Sequence, residues 1–122
     1  MTKKQLQKAT IPDLVAAYAE AARAHGSATD DGDHKKANKA HDQIASIYSE
    51  LRRRGLEAQR ALLPLLFDPH PWVRSWSASH ALDFGAAEGA AVLERLAGVK
   101  GAVAISAHYT LEAWRNGTLK FP

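Results

Sequence analysis

The chain has 122 residues, a length that sets one domain with its own core as the expectation. Its 46% hydrophobic content argues against disorder, and the lack of cysteine excludes disulfides and thiolate chemistry and fits a reducing cytoplasm. The net charge of +3 comes from the first half alone: residues 1–60 hold 11 Lys and Arg against 8 Asp and Glu, whereas residues 61–122 hold 5 of each. That footprint is weak for a nucleic-acid binder. No stretch approaches transmembrane length, and MTKKQLQKAT lacks the apolar core of a secretory signal.

Residues 1–9 read as a flexible basic arm, tethered at most by Leu6. Thr10 followed by Ile11-Pro12-Asp13 is a helix start, with a hydroxyl cap, an early proline and an acid in the first turn. The helix it opens carries Leu14, Val15, Tyr18, Ala21 and Ala22 on one side and is expected to stop at His25-Gly26, before a loop over SATDDG (27–32). A long helix is then expected from Asp33 to Arg54, its apolar side formed by Ala37, Ala40, Ile44, Ile47, Tyr48 and Leu51. Arg52, Arg53 and Arg54 fall in its last turn, where the partial negative charge of the helix end favours cations, and Gly55 stops it.

The next stretch, Glu57 to Phe84, organises the fold as a helical hairpin. EAQRALLPLLF is the first arm, with Leu62, Leu63, Leu65, Leu66 and Phe67 as its apolar run and Pro64 bending its last turn, a reading preferred to a helix that starts late with Pro64 in its first turn. Asp68 and His70 each precede a proline and are therefore expected to be extended. Pro71 suits the first position of the second arm, His70 its N-cap, and Gly85 its left-handed stop. On this arm Val73, Ser77, Ala81 and Phe84 share a side, the small residues Ser77, Ala78 and Ala81 permit close helix approach, and Ser75, Ser79 and Asp83 mark the wet side, with Trp72 and Trp76 at its edge. A short helix follows from Ala86 to Ala97, with Val92, Leu93 and Leu96 inward and Gly89 weakening it. The last helix, from Ala102 to Asn116, carries Val103, Ile105, Ala107, Leu111 and Trp114, and Asn116-Gly117 ends it before a tail at 118–122.

The stretch LLPLLFDPHPWVRSWSASHAL resembles the HEAT-type repeat, with Leu62, Leu63, Leu66, Asp68, Val73, Arg74, Ser77 and Ala78 at matching positions. The ELRRRG ending of the long helix, the ALLPLL run and a tryptophan near the C-terminus make the whole chain similar to a family of small single-domain bacterial proteins of unknown function with HEAT-like helical pairs. The resemblance implies a fold and no activity, and it implies that Arg74 braces the turn at Asp68. A shift of 29 residues lays Val73 on Ala102, Ser77 on Ser106 and Ala78 on Ala107, as a degenerate second copy of the hairpin would. The expected fold is thus all-α, a HEAT-like α-α superhelix of about six helices in three antiparallel pairs, with residues 10–117 as a single helical domain.

Chemistry has few candidates. The six histidines lack the i, i+3 or i+4 pairing of a helical metal site, although His34 and His41 can share a helix side. The DDGD run (Asp30 to Asp33) lacks the alternation and closing glutamate of a calcium loop and reads as acids at a helix start. There is no phosphate loop, nucleophile elbow or metalloprotease motif. No catalytic residue, cofactor or metal is therefore assigned. The expectation is a non-enzymatic helical-repeat module, such as a bacterial immunity or adaptor protein, that binds another protein as a monomer or weak homo-oligomer. Its candidate partner-binding residues are Trp72, Ser75, Trp76, Ser79 and Asp83, with Arg52, Arg53 and Arg54. The alternatives are nucleic-acid binding through the basic first half and a small enzyme with an unrecognised site.

Overall fold

A computed structural model describes residues 1–121 and shows seven α-helices and one short 3-10 helix, with no strand among the described residues. The chain divides into two compact units, Met1–Leu62 and Leu63–Phe121.

The first unit is built on two long helices, α2 (Ile11–Asp30) and α3 (His34–Arg54), which pack along each other. Thr10 caps α2 through the Asp13 amide, 3.2 Å from its hydroxyl, as the TIPD pattern predicts. The helix does not stop at Gly26. It continues through the stretch expected as a loop to Asp30, because its buried stripe of Leu14, Tyr18, Ala21 and Ala22 extends to Gly26 and Ala28. Continuing the stripe outweighs the roughly 1 kcal/mol that a glycine costs inside a helix. The chain reverses at Gly32 (φ 73°), and Asp33 caps α3 by accepting from the Lys36 amide at 3.1 Å. Leu14, Tyr18, Ile44, Tyr48 and Leu51 form a core from which solvent is almost wholly excluded. Within it the Gln59 amide donates to the Tyr48 hydroxyl at 3.0 Å, so a buried polar pair is satisfied internally.

Residues 3–8, expected as part of an arm, form a short helix, α1 (Lys3–Lys8). Thr2 and Gln5 make a reciprocal capping box, Thr2 Oγ1 accepting from the Gln5 amide (3.2 Å) and Gln5 Oε1 from the Thr2 amide (2.7 Å). Leu6 is buried, and the Arg54 guanidinium of α3 donates to the Leu6 and Gln7 carbonyls at 2.9 and 3.2 Å, so α3 holds the C-terminal end of α1. Gly55 ends α3 with φ 109°, a conformation that a side chain disfavours.

The continuous helix expected from Glu57 to Phe67 is instead two short pieces, α4 (Leu56–Arg60) and the 3-10 helix Leu63–Phe67, in which Pro64 is the second residue. Pro64 has no amide to give the α-helical ladder and breaks it rather than bending it. The division between the two units falls at this break.

In the second unit the 3-10 helix, α5 (Pro71–Asp83), α6 (Glu88–Ala97) and α7 (Ala102–Arg115) enclose a core that includes Leu66, Trp72, Leu82, Leu93, Leu96 and Leu111. The start of α5 follows the sequence reading closely. Asp68 accepts from the His70 amide (2.9 Å), His70 Nδ1 caps the Trp72 amide (3.2 Å), and Pro71 is the first helical residue. Arg74 braces the same turn by donating to the Asp68 and Pro69 carbonyls at 2.8 and 3.0 Å. Gly89 is buried, and a Cβ placed on it would lie 2.5 Å from the Ala78 carbonyl oxygen and 3.0 Å from Ala81 Cβ. The glycine expected to weaken α6 is what lets α6 press against the small residues of α5.

On α7 the inward stripe is Val103, Ala107 and Leu111 at four-residue spacing, joined by Ala104. Ile105 lies about 100–160° around the helix from these residues at 100° per residue and is exposed. Trp114 is also partly exposed. Of the expected tail, Leu119 and Phe121 rest against the core of this unit, and Pro122 lies outside the described residues.

Candidate functional site

The predicted docking residues of α5 do not form a surface patch. Trp72 is 4% exposed and belongs to the core, so it cannot serve as an exposed anchor. Ser75, expected on the wet side, is buried as well. Buried Ser77 enters the interior without an orphaned hydroxyl because it bonds to its own helix. Here Ser79 Oγ donates to the Ser75 carbonyl and Ser77 Oγ to the Val73 carbonyl, both at 2.8 Å. Trp76 is half-buried, packs on the core and lies with its ring centroid 5.9 Å from that of His80, while Ser79 and Asp83 are half-buried.

The arginine run in the first unit has mostly structural duties. Arg53 grips Glu50 with two hydrogen bonds (Nε to Oε1 2.9 Å, Nη2 to Oε2 2.7 Å), and Arg54 Nε adds a third at 2.6 Å. These bonds, led by those from Arg53, hold the Glu50 carboxyl at a pKa of about 2 against the ordinary 4.5. With Arg54 also engaged on α1, Arg52 and Arg53 are the exposed members of the run. The two predicted sets therefore lie in different units, α3 in the first and α5 in the second.

Each unit carries a concave surface. In the first unit a groove of about 500 Å³ runs along α2 and α3, lined among others by Leu6, Ala21, Glu20, Lys39 and Asp42. Its charges are of both signs. Among the described residues no three His, Cys, Asp or Glu side chains are grouped to hold a metal ion. His25, half-buried, is held below the ordinary histidine pKa by burial and then by the nearby His41.

The second surface lies in the second unit. A groove of about 320 Å³ is lined by Leu66, Phe67, Val92, Leu96 and Val99, with Arg74 and Arg95 as its charged residues. Leu66, Val92 and Leu96 are buried and form its floor, whereas Phe67 is 81% exposed and Val99 49% exposed on its rim. In the sequence Phe67 counts with the apolar run of the first arm. In a 3-10 helix residues three apart eclipse one another, so turning Leu63 and Leu66 toward the core turns Phe67 away from it. A single exposed apolar residue is unremarkable, but an aromatic and an aliphatic one bordering one apolar groove form a coherent patch. The available signal was Pro64, which already argued against a regular α-helix there.

These features define a small all-α protein with a recessed apolar patch in its second unit. The chain belongs to the family described as Domain of unknown function (DUF2019), whose profile covers residues 12–114. No curated protein and no solved structure matches the chain.

Proposed function

We propose that this chain is a non-enzymatic helical module that binds another protein, and that the groove beside Phe67 is its docking surface. The observation that carries the reading is Phe67 itself, a phenylalanine 81% exposed at the edge of an apolar floor. Aromatic residues that enter a partner's pocket dominate interface energies. The HEAT-type likeness of residues 62–82 belongs to this reading and is supported by the proline-led start of α5 and the Arg74 brace. A cytoplasmic bacterial adaptor or immunity protein, acting as a monomer or weak homo-oligomer, is the kind of protein it describes. The lack of cysteine supports that compartment, and no helix among the described residues is long and apolar enough to cross a membrane.

The test is a photo-cross-linking amino acid at position 67, with the same group at exposed Glu88 as the control. A discrete protein adduct in the source cell from position 67 and not from 88 is the expected result. Equal labelling at both positions, or none, refutes the docking role.

A further inference from the structure

We infer that the partner segment docked in the Phe67 groove is acidic and amphipathic, with apolar side chains on the floor and carboxylates at the two arginines. The inference deepens the docking role proposed above and rests on it. The groove is lined by two cations and no anion. Arg95 is exposed in the last turn of α6, while Arg74 is half-buried and fixed in orientation by its bonds to the Asp68 and Pro69 carbonyls. Between them the floor of Leu66, Val92 and Leu96 offers no polar side chain to a ligand. A basic segment would bring like charges together at both arginines, a mismatch that interfaces avoid. A fully apolar segment would leave the cations without counter-charges. Nucleic acid fits less well, because its affinity comes from many phosphate contacts and two arginines around an apolar floor supply few. An amphipathic acidic helix meets both requirements at once: leucine-like anchors three or four residues apart enter the groove, and flanking glutamates reach the guanidinium forks.

The experiment uses the full chain and three fluorescein-labelled probes: an amphipathic peptide of leucine and glutamate, the same peptide with lysine for glutamate, and oligothymidine. Fluorescence anisotropy reads binding at low and raised salt for the wild type, Phe67→Ser and Arg95→Glu. Phe67 and Arg95 are exposed, so both variants keep the fold, which circular dichroism verifies. The glutamate peptide is expected to bind the wild type, to weaken about tenfold with either substitution, and to yield to the lysine peptide in Arg95→Glu. Tighter binding of oligothymidine, or wild-type binding of the lysine peptide as strong as that of the glutamate peptide, overturns the inference. So does an affinity unchanged by Phe67→Ser, or no binding of either peptide. None of these results removes the docking role, because the cross-link at position 67 reports it independently.

Discussion

Replacing Gly89 by alanine sets two effects of opposite sign against each other. Helix propensity alone favours the change by about 1 kcal/mol, since glycine is the poorer helix former. Packing opposes it. The new Cβ would sit 2.5 Å from the Ala78 carbonyl oxygen, 3.0 Å from Ala81 Cβ and 3.3 Å from the Ala78 carbonyl carbon. A carbon and a carbonyl oxygen come no nearer than about 3.3 Å, so α6 must retreat by about 0.8 Å. The nearest atom is main-chain, so no side-chain rotation relieves the contact. A retreat of that size opens gaps under Val92, Leu93 and Leu96, and a gap of about 0.5–1 Å forfeits a quarter to a half of each dispersion contact it separates. Overpacking of this kind costs about 1–3 kcal/mol, which leaves Gly89→Ala destabilised by about 1 kcal/mol and lowers the urea midpoint by about 0.5 M at an m-value near 2 kcal/mol/M. Gly98→Ala is the control. Gly98 is exposed with φ −86°, and the nearest atom to its added Cβ is the Arg95 carbonyl oxygen at 3.4 Å. Its midpoint should move by no more than about 0.5 kcal/mol in free-energy terms. If Gly89→Ala is as stable as the wild type or more so, propensity has won and the close approach of α5 and α6 is wrong.

Other consequences are as open to measurement. Glu50 has a folded pKa of about 2, depressed below its ordinary 4.5, so its ion pairs stabilise the fold above about pH 4.5 and that stability is lost as pH falls from 4.5 toward 2. Urea titrations at pH 7 and pH 3 should show a smaller acid loss for Glu50→Gln than for the wild type, and equal losses would show that the clamp adds nothing. His25 has a lowered folded pKa, so folding disfavours its protonation and its contribution falls as pH drops through the unfolded value of about 6.5. His25→Gln should flatten the loss of stability between pH 7.5 and 5.5, whereas a slope unchanged from the wild type would place His25 in open solvent. Trp72→Ala should cost about 3–5 kcal/mol by leaving a cavity among Leu66, Leu82 and Leu93, and thermal unfolding with little change in midpoint would return Trp72 to the surface.

Much of the local structure was legible in the chain. The start of α5 followed from Pro71 preceded by a residue that can cap, and the ends of α3 and α5 from glycines that now show φ values of 109° and 79° at Gly55 and Gly85. The capping box of α1 was also legible in T-K-K-Q, yet a box stabilises a six-residue helix only when something holds it, and the holding groups, Arg54 and the site receiving Leu6, are some fifty residues away or on another element. The candidate site was hardest to read, because Ser75 looks solvent-facing until its helix is packed and Phe67 looks buried until Pro64 changes the helix type.

By itself the sequence determined that this protein is helical, where most helices begin and, at Thr10 and His70, which residues cap them. Those choices rest on backbone sterics and on bonds spanning two to four residues, which are written locally. Only the tertiary structure decided that Arg54 reaches the Leu6 and Gln7 carbonyls, that Gly89 is a contact rather than a flaw, and that Phe67 stands in solvent beside an apolar floor. Each of these depends on which faces meet, and burial is a property of neighbours brought together by folding.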